Sequence, residues 1–155
     1  MSWGKCDFKQ LKELQKRLEQ LQKNERQAFI EAVSKELAAR LLAKVIKRTP
    51  VGQYPAGSGK VGGTLRRGWT AGKTQSATKY AQSLPVYKNG DTYTIVVKNH
   101  VEYATYVEYG HRTRNGCGWV EGRFMLTKSE MEIEGQMPKI IEKKLQAELE
   151  KIFKQ

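Results

Sequence analysis

Few residues in this sequence could carry nucleophilic or metal chemistry. Its only histidines are His100 and His111, and the second lies six residues before Cys117. A cysteine nucleophile needs a fixed base and a third group that orients this base, and a glycine-punctuated loop provides neither. A zinc site needs three or four ligands, usually in close pairs, which these three residues do not supply. We therefore expect no metal and no cofactor.

Two carboxylates, Glu102 and Glu108, lie in a tyrosine-rich segment, Val101 to Gly110. On a strand they would share a face, but six positions apart they are too distant for paired acid–base work. Salt bridges to nearby arginines explain them better. The sequence thus predicts no catalytic residue, and we expect a binding or structural protein rather than an enzyme.

Length and composition suit one domain over residues 1–155. The chain has 39% hydrophobic and 28% charged residues, enough for a core of its own. It has no run of 18 apolar residues and no apolar signal-peptide region, so we expect neither a membrane span nor export. Cys6 and Cys117 lie far apart, which favours reduced thiols in a cytosolic product.

Charge is distributed unevenly along the chain. The formal net charge is +12, and no acidic residue occurs between Glu36 and Asp91. A segment of this kind repels itself unless nucleic acid, an acidic partner or salt compensates the charge. One functional alternative is therefore a sequence-independent nucleic-acid binder that uses segment 37–90. Its basic residues are Arg40, Lys44, Lys47, Arg48, Lys60, Arg66, Arg67, Lys73, Lys79 and Lys88.

Apolar spacing predicts a helical segment over residues 1–48. Leucines recur there at spacings of three and four, as in an a/d seam: Leu11, Leu14, Leu18 and Leu21. One helix from Asp7 to Arg48 would be about 63 Å long, so part of it should project and need a partner. A capping box formed by Asn24 and Gln27 is equally consistent with two helices joined near Asn24.

Thr49-Pro50 ends this segment, because proline lacks an N–H donor and biases the preceding residue away from helical angles. The glycine-rich stretch Val51–Gly63 lacks the order of a Walker loop, so we predict a mobile connector. A sheet is then predicted over 64–110. Its strands would be Thr64–Thr70 and Asp91–Lys98, the second paired with Gln82–Tyr87 across the Asn89-Gly90 turn. Val101–Gly110 fits either a short helix or a strand.

The last part of the chain is predicted as a polar loop, His111–Glu121, followed by a C-terminal helix over 129–154. That helix would start at a capping box from Ser129 to Glu132 and would kink or restart at Gly135 and Pro138. The fold class is α+β. A long amphipathic N-terminal helix and a C-terminal helix pack on a small, mainly antiparallel β-sheet.

Aromatic and basic residues alternate around Trp69 and again from Tyr103 to Arg114. Such platforms can hold single-stranded nucleic acid, but no RNA-binding sheet motif or helix-turn-helix spacing accompanies them. Tyrosine is equally suited to protein interfaces, which we favour. Salt titration separates the two alternatives, because phosphate contacts make log affinity fall linearly with log salt.

These motifs come in an order that resembles a known family. Thr49-Pro50-Val51 precedes Leu65-Arg66-Arg67, then come Tyr106-Val107-Glu108-Tyr109-Gly110 and Gly122-Arg123-Phe124. From about Phe8 onward the sequence resembles the tail-component family of long-tailed bacteriophages and defective prophages, the tail-completion or neck proteins. It departs from the family in a longer loop over Gln53–Val61 and in lacking a proline before Phe124.

The resemblance implies a structural virion protein that forms a ring, commonly sixfold, at the head-proximal end of the tail. The implied partners are further copies of the chain, the tail tube or tail terminator protein, the head–tail connector and, non-specifically, DNA in the lumen, with no membrane. The implied location is the virion tail or neck, and the host cytoplasm during assembly. Because arginine favours interface ion pairs, we expect an interface formed by basic and aromatic residues. They are Arg66, Arg67, Trp69, Tyr106, Tyr109, Arg112, Arg123 and Phe124.

Overall fold

The structure is a computed structural model that describes residues 9–153, with the side chains of residues 19 and 22–151. The described residues confirm an α+β fold that is mainly helical. Two long helices and three short ones accompany four short strands, which form two antiparallel hairpins rather than one sheet. In chain order the elements are α1 Lys9–Arg48, α2 Thr64–Gly68, α3 Ala77–Ser83, β1 Tyr87–Asn89, β2 Thr92–Thr94, α4 Ala104–Tyr109, β3 Gly110–Arg112, β4 Trp119–Glu121 and α5 Met125–Phe153.

Helix α1 is continuous over 40 residues, which corresponds to about 60 Å. Of the two arrangements that the sequence left open, the chain adopts the single helix, without a break at Asn24. Gln27 instead lies inside the helix: its amide donates to Glu31 one turn further along α1 and accepts from Lys88 of β1. The predicted start at Asp7 lies outside the described residues. The helix ends before Pro50, as predicted.

The prediction of a strand over Thr64–Thr70 is wrong, because these residues form α2 and the turn that follows it. Leu65 and Trp69 are both buried, and residues four apart share one face of a strand and of a helix alike, so their spacing could not decide. The strand predicted over Gln82–Tyr87 is also wrong except at Tyr87, because residues 82 and 83 end α3, residues 84–86 are in no strand, and β1 begins at Tyr87. In the tyrosine segment the helical alternative is formed, as α4.

The first hairpin pairs Tyr87 with Thr94 and Asn89 with Thr92, so its loop is Gly90-Asp91, one residue later than the predicted Asn89-Gly90 turn. Gly90 has a φ of +60°, which a turn of this kind favours in glycine. The strand predicted over Asp91–Lys98 is paired only over its first part, Thr92–Thr94. Residues 95–98 alternate in exposure, although no described strand pairs with them.

The predicted loop His111–Glu121 contains the second hairpin, in which Gly110 pairs with Glu121 and Arg112 with Trp119. By contrast, Val51–Gly63 contains neither helix nor strand, as predicted. Helix α5 begins four residues before its predicted start, so Ser129 is not a cap. It is a buried residue whose hydroxyl donates to the Met125 carbonyl.

Helix α1 supplies the centre of the core. Its buried residues pack against α2, against α3 and against the first residue of α5. Removal of apolar surface from water is the main force that holds such a core together. The core residues are Ala38, Leu42, Val45, Leu65, Trp69, Tyr80, Ala81 and Met125.

Ion pairs hold α5 antiparallel to α1. Glu132 binds both Lys44, at 2.7 Å, and Arg48. Glu36 binds Lys144 at 2.6 Å and Arg40 at 2.7 Å. α5 is continuous through Pro138, so the helix does not restart there.

These ion pairs make the stability of the fold depend on pH. The Lys144 hydrogen bond, followed by that of Arg40, lowers the pKa of Glu36, and Lys44 followed by Arg48 lowers the pKa of Glu132. A carboxyl whose pKa is lower in the folded than in the unfolded chain stabilises the fold when it is ionised. The contribution is complete above the unfolded pKa of about 4.3 and is lost as the pH falls through the folded pKa.

We therefore expect Tm to fall between pH 6 and pH 3, and to fall less in the double variant Glu36→Gln/Glu132→Gln. The measurement is thermal unfolding followed by circular dichroism at steps across this range. Glu142→Gln is the matched control, since Glu142 is an exposed α5 carboxyl without an ion pair among the described residues. Equal losses of Tm in the double variant and the unmodified chain would contradict this assignment.

Candidate interaction surface

The tyrosine segment and the start of α5 form one hydrogen-bonded junction. Glu108, buried in α4, accepts from the backbone N–H groups of Leu126 at 3.0 Å and Thr127 at 2.9 Å. The Thr127 hydroxyl donates to the same carboxylate at 2.8 Å. The first N–H groups of a helix have no partner within it, and their dipoles favour a negative charge. Glu108 therefore caps α5 from another element, and its prediction as a salt-bridge residue is wrong.

Two glycines permit the close approach on which this junction depends. A Cβ on Gly122 would collide with the Glu108 carbonyl oxygen, and one on Gly110 would collide with the Val120 carbonyl oxygen. Gly110 also has a φ of +89°, which side-chain-bearing residues rarely adopt. Next to these glycines, the Arg123 and Phe124 N–H groups donate to the carbonyls of residues 107 and 108 at 2.7 and 3.0 Å. Two of the four motifs that carried the family resemblance, residues 106–110 and 122–124, are therefore hydrogen-bonded to each other in this junction.

The junction presents aromatic side chains to solvent. Tyr106, Tyr109 and Trp119 are 60%, 59% and 61% exposed, and Phe124 is partly exposed. The Tyr109 and Phe124 rings meet edge-to-face with centroids 6.5 Å apart. Large exposed aromatic side chains of this kind on a folded chain mark a candidate interaction site. We name this surface the junction patch: Tyr106, Tyr109, Arg112, Trp119, Arg123 and Phe124.

Arginine completes the junction patch. Arg112 and Arg123 are exposed, and neither has an acidic group within 4.0 Å in the part of the chain that the structure describes. Arg112 is the cross-strand neighbour of Trp119 in the second hairpin. Aromatic residues and arginine are the types most enriched at the centres of protein interfaces. The composition of the patch therefore fits a protein partner.

The other three predicted interface residues lie on α2 and in the turn after it, and two of them bind Thr49. Trp69 is only 3% exposed, and its indole N–H donates to the Thr49 hydroxyl at 2.8 Å. It belongs to the core, which corrects its prediction as a surface contact. Arg66 is half-buried and donates to the Thr49 carbonyl at 2.8 Å. Arg67 is exposed and donates to the Gly62 carbonyl at 3.1 Å.

Sequence reasoning missed the structural role of Glu108 and the place of Trp119 in the patch. One signal for the cap existed: α5 has no acidic residue in its first turn, and Phe124 stands where a capping Ser, Thr, Asp or Asn is usual. A helix start without local caps needs an acceptor from elsewhere in the chain. No spacing rule points from there to a residue 18 positions earlier.

The basic segment is less available than its composition predicts. Arg40, Lys44 and Arg48 are paired with carboxylates, and Arg66 is bound to a backbone carbonyl. Other basic residues of the segment remain exposed without an acidic partner among the described residues, namely Lys47, Lys60, Lys73 and Lys79. Part of the charge thus serves the fold.

Within residues 9–153, no three His, Cys, Asp or Glu side chains are grouped closely enough to hold a metal ion. Cys117 is a free, exposed thiol, and Cys6 lies outside the described residues. None of the helices in the described part of the chain is both long enough and apolar enough to cross a membrane.

Exposed aromatic and arginine side chains at a capped helix start are residue types that are enriched in proteins that bind other macromolecules. Residues 12–110 match the family described as "Bacteriophage HK97-gp10, putative tail-component". This match covers more than half of the 155 residues, and the chain belongs to this family of structural phage tail components. No curated protein and no solved structure matches the chain.

Proposed function

We propose that the protein forms a ring at the head-proximal end of a phage tail, where it completes the tail and joins it to the head. The junction patch is the observation that carries this proposal. Three aromatic side chains that are each about three-fifths exposed would be costly to leave in water on a permanent monomer. Membership in a family of tail components supplies the assembly in which they become buried.

The proposed partners follow from the geometry of such a ring. Copies of the chain would meet through two different surfaces, because heterologous contacts that close produce rings, and the ring that we propose is a hexamer. The tail tube or terminator protein and the head–tail connector would lie on either side of the ring. The exposed loop Val51–Gly63 could order on a neighbouring ring, as interface loops often do. The unpaired lysines of the basic segment are available for DNA in the lumen.

Location in the particle is the first test. A small tag inserted after Gly57 lies in an exposed loop where nothing within 4 Å would be displaced. We expect gold label at the head–tail junction of intact particles, or at the upper end of headless tails. Particles without label, with the tagged protein left in the soluble fraction, would refute the proposal and favour the nucleic-acid alternative.

The arginines of the junction patch give a second prediction. Arg112→Glu/Arg123→Glu should reduce infectious particles at least about tenfold, because interface arginines commonly contribute 2 kcal/mol or more. Unjoined heads and tails should accumulate in electron micrographs, while Tm stays unchanged. Lys73→Glu is the control, an exposed lysine outside the patch. A normal titre from the double variant would show that the patch is not used in assembly.

A further inference from the structure

Helix α5 carries an apolar stripe that the described chain leaves in solvent. Met137, Ile141, Leu145 and Leu149 recur at every fourth residue, and the last three are 37% to 47% exposed. At Met137 the stripe is continuous with an apolar groove of about 480 Å³ between α1, α5 and residues 93–97. Residues four apart form a ridge along a helix, which is the feature that packs into a facing helix. The stripe and groove together therefore fit a helical partner.

The same chain has a helical segment that extends past α5. Arg48 contacts Ser129, Lys44 contacts Glu132, and Glu36 contacts Lys144, so α5 runs antiparallel to α1. Continued in this register, the end of α5 falls opposite about residue 25 of α1. Residues 9–23 therefore extend beyond it by about 22 Å. By sequence, this N-terminal end of α1 carries the leucine seam: Leu11, Leu14, Leu18 and Leu21.

We infer that the N-terminal end of α1 from one copy docks on the α5 stripe of the next copy. This inference rests on the proposed ring and identifies a contact that would build it. The lengths agree, since Leu11 to Leu21 spans about 15 Å of helix and Met137 to Leu149 about 18 Å. The α5 stripe is close to neutral: residues 9–26 hold six basic and three acidic residues, whereas residues 137–149 hold three basic and two acidic ones.

Charge also favours this pairing over the alternative in which two α1 ends pair with each other. Two α1 ends would each bring a net charge of +3 from residues 9–26, whereas the α5 stripe over residues 137–149 brings only +1, so the α1–α5 pair repels less. A contact between two different surfaces of one chain is heterologous, so each copy offers one surface to each neighbour. Such a contact propagates until the ring closes.

Disulfide trapping tests the inference directly. Both native cysteines are first replaced, as Cys6→Ser/Cys117→Ser. One sample then carries Leu14→Cys or Leu18→Cys on α1, and a second sample carries Ile141→Cys or Leu145→Cys on α5. On mild oxidation we expect at least one mixed pair to give crosslinked dimers. Their yield should be at least tenfold above the yield obtained when Lys139→Cys replaces the α5 cysteine. Lys139 is exposed on α5 about 120° around the helix from Leu145, so it controls for random collision. Four pairings are available, which keeps the test usable if one variant does not fold.

The outcomes separate the docking from the proposed function. Crosslinks within a single α1 sample would mean that two α1 ends pair, and equal yields with Lys139→Cys would mean random contact; both overturn the inference. Closed rings in electron micrographs without any mixed crosslink would overturn this docking and leave the ring intact. A protein that stays monomeric by light scattering at all concentrations, and unlabelled in particles, would refute the proposed function as well.

Discussion

Replacement of Trp69 by alanine should destabilise the folded chain by about 3–5 kcal/mol, the usual cost of removing a large buried aromatic side chain. Trp69 is almost fully buried, and it packs in the core formed by α1, α2 and α3. The substitution removes its apolar contacts and leaves a cavity. It also removes the indole donor from the Thr49 hydroxyl. For a chain of this length, Tm should fall on the order of 10 °C.

Chemical unfolding monitored by circular dichroism measures this loss. Trp119→Ala is the matched control, because Trp119 is mostly exposed and its removal should change stability by less than about 0.5 kcal/mol. The two tryptophans thus separate folding from assembly: loss of Trp119 should impair particle joining without unfolding the chain. If Trp69→Ala left stability unchanged and impaired only assembly, Trp69 would be an interface residue and its assignment to the core would be wrong.

Replacement of Glu108 by alanine should cost about 2–4 kcal/mol, because it removes a cap and a charged acceptor from three donors. Two of these donors are backbone N–H groups that α5 cannot satisfy within itself. Glu108→Gln should lose less stability than Glu108→Ala, since the amide oxygen of glutamine can still accept a hydrogen bond. It should still lose some, because the NH₂ group of glutamine then faces other donors. Both variants should reduce the order of the first turn of α5.

Amide hydrogen exchange at Leu126 and Thr127 reports on that turn, and chemical unfolding reports on the whole chain. Glu102→Ala is the control, since Glu102 is an exposed carboxyl of the same segment. We expect faster exchange at both amides in the Glu108 variants alone. Unchanged exchange in Glu108→Ala would mean that α5 keeps its first turn without this carboxylate.

The features that the sequence predicted correctly depend on local signals. Apolar spacing located α1 and α5, and the Asn89-Gly90 pair located the first hairpin, because helix faces and tight turns are set by neighbours in the chain. The strand prediction at Leu65 and Trp69 failed because residues four apart lie on one face in a helix and in a strand alike. Only burial of both residues against α1 decides between them.

The candidate surface was predictable in composition but not in arrangement. The tyrosines and arginines near Gly110 were visible in the sequence, and five of the predicted residues meet in the junction patch. Trp69 was assigned to the surface because composition cannot distinguish a core aromatic from an interface aromatic. Glu108 and Thr49 act on residues 17 to 20 positions away through hydrogen bonds, and no periodic pattern records such contacts.

Thr49 has a consequence for how relatives of this protein can diverge. Its hydroxyl donates to the Val45 carbonyl and accepts from Trp69, while its own carbonyl accepts from Arg66. A relative that replaces the threonine with an apolar residue leaves the buried indole N–H without an acceptor, so the tryptophan then destabilises the fold. We therefore expect substitutions at positions 49 and 69 to occur together in relatives of this chain.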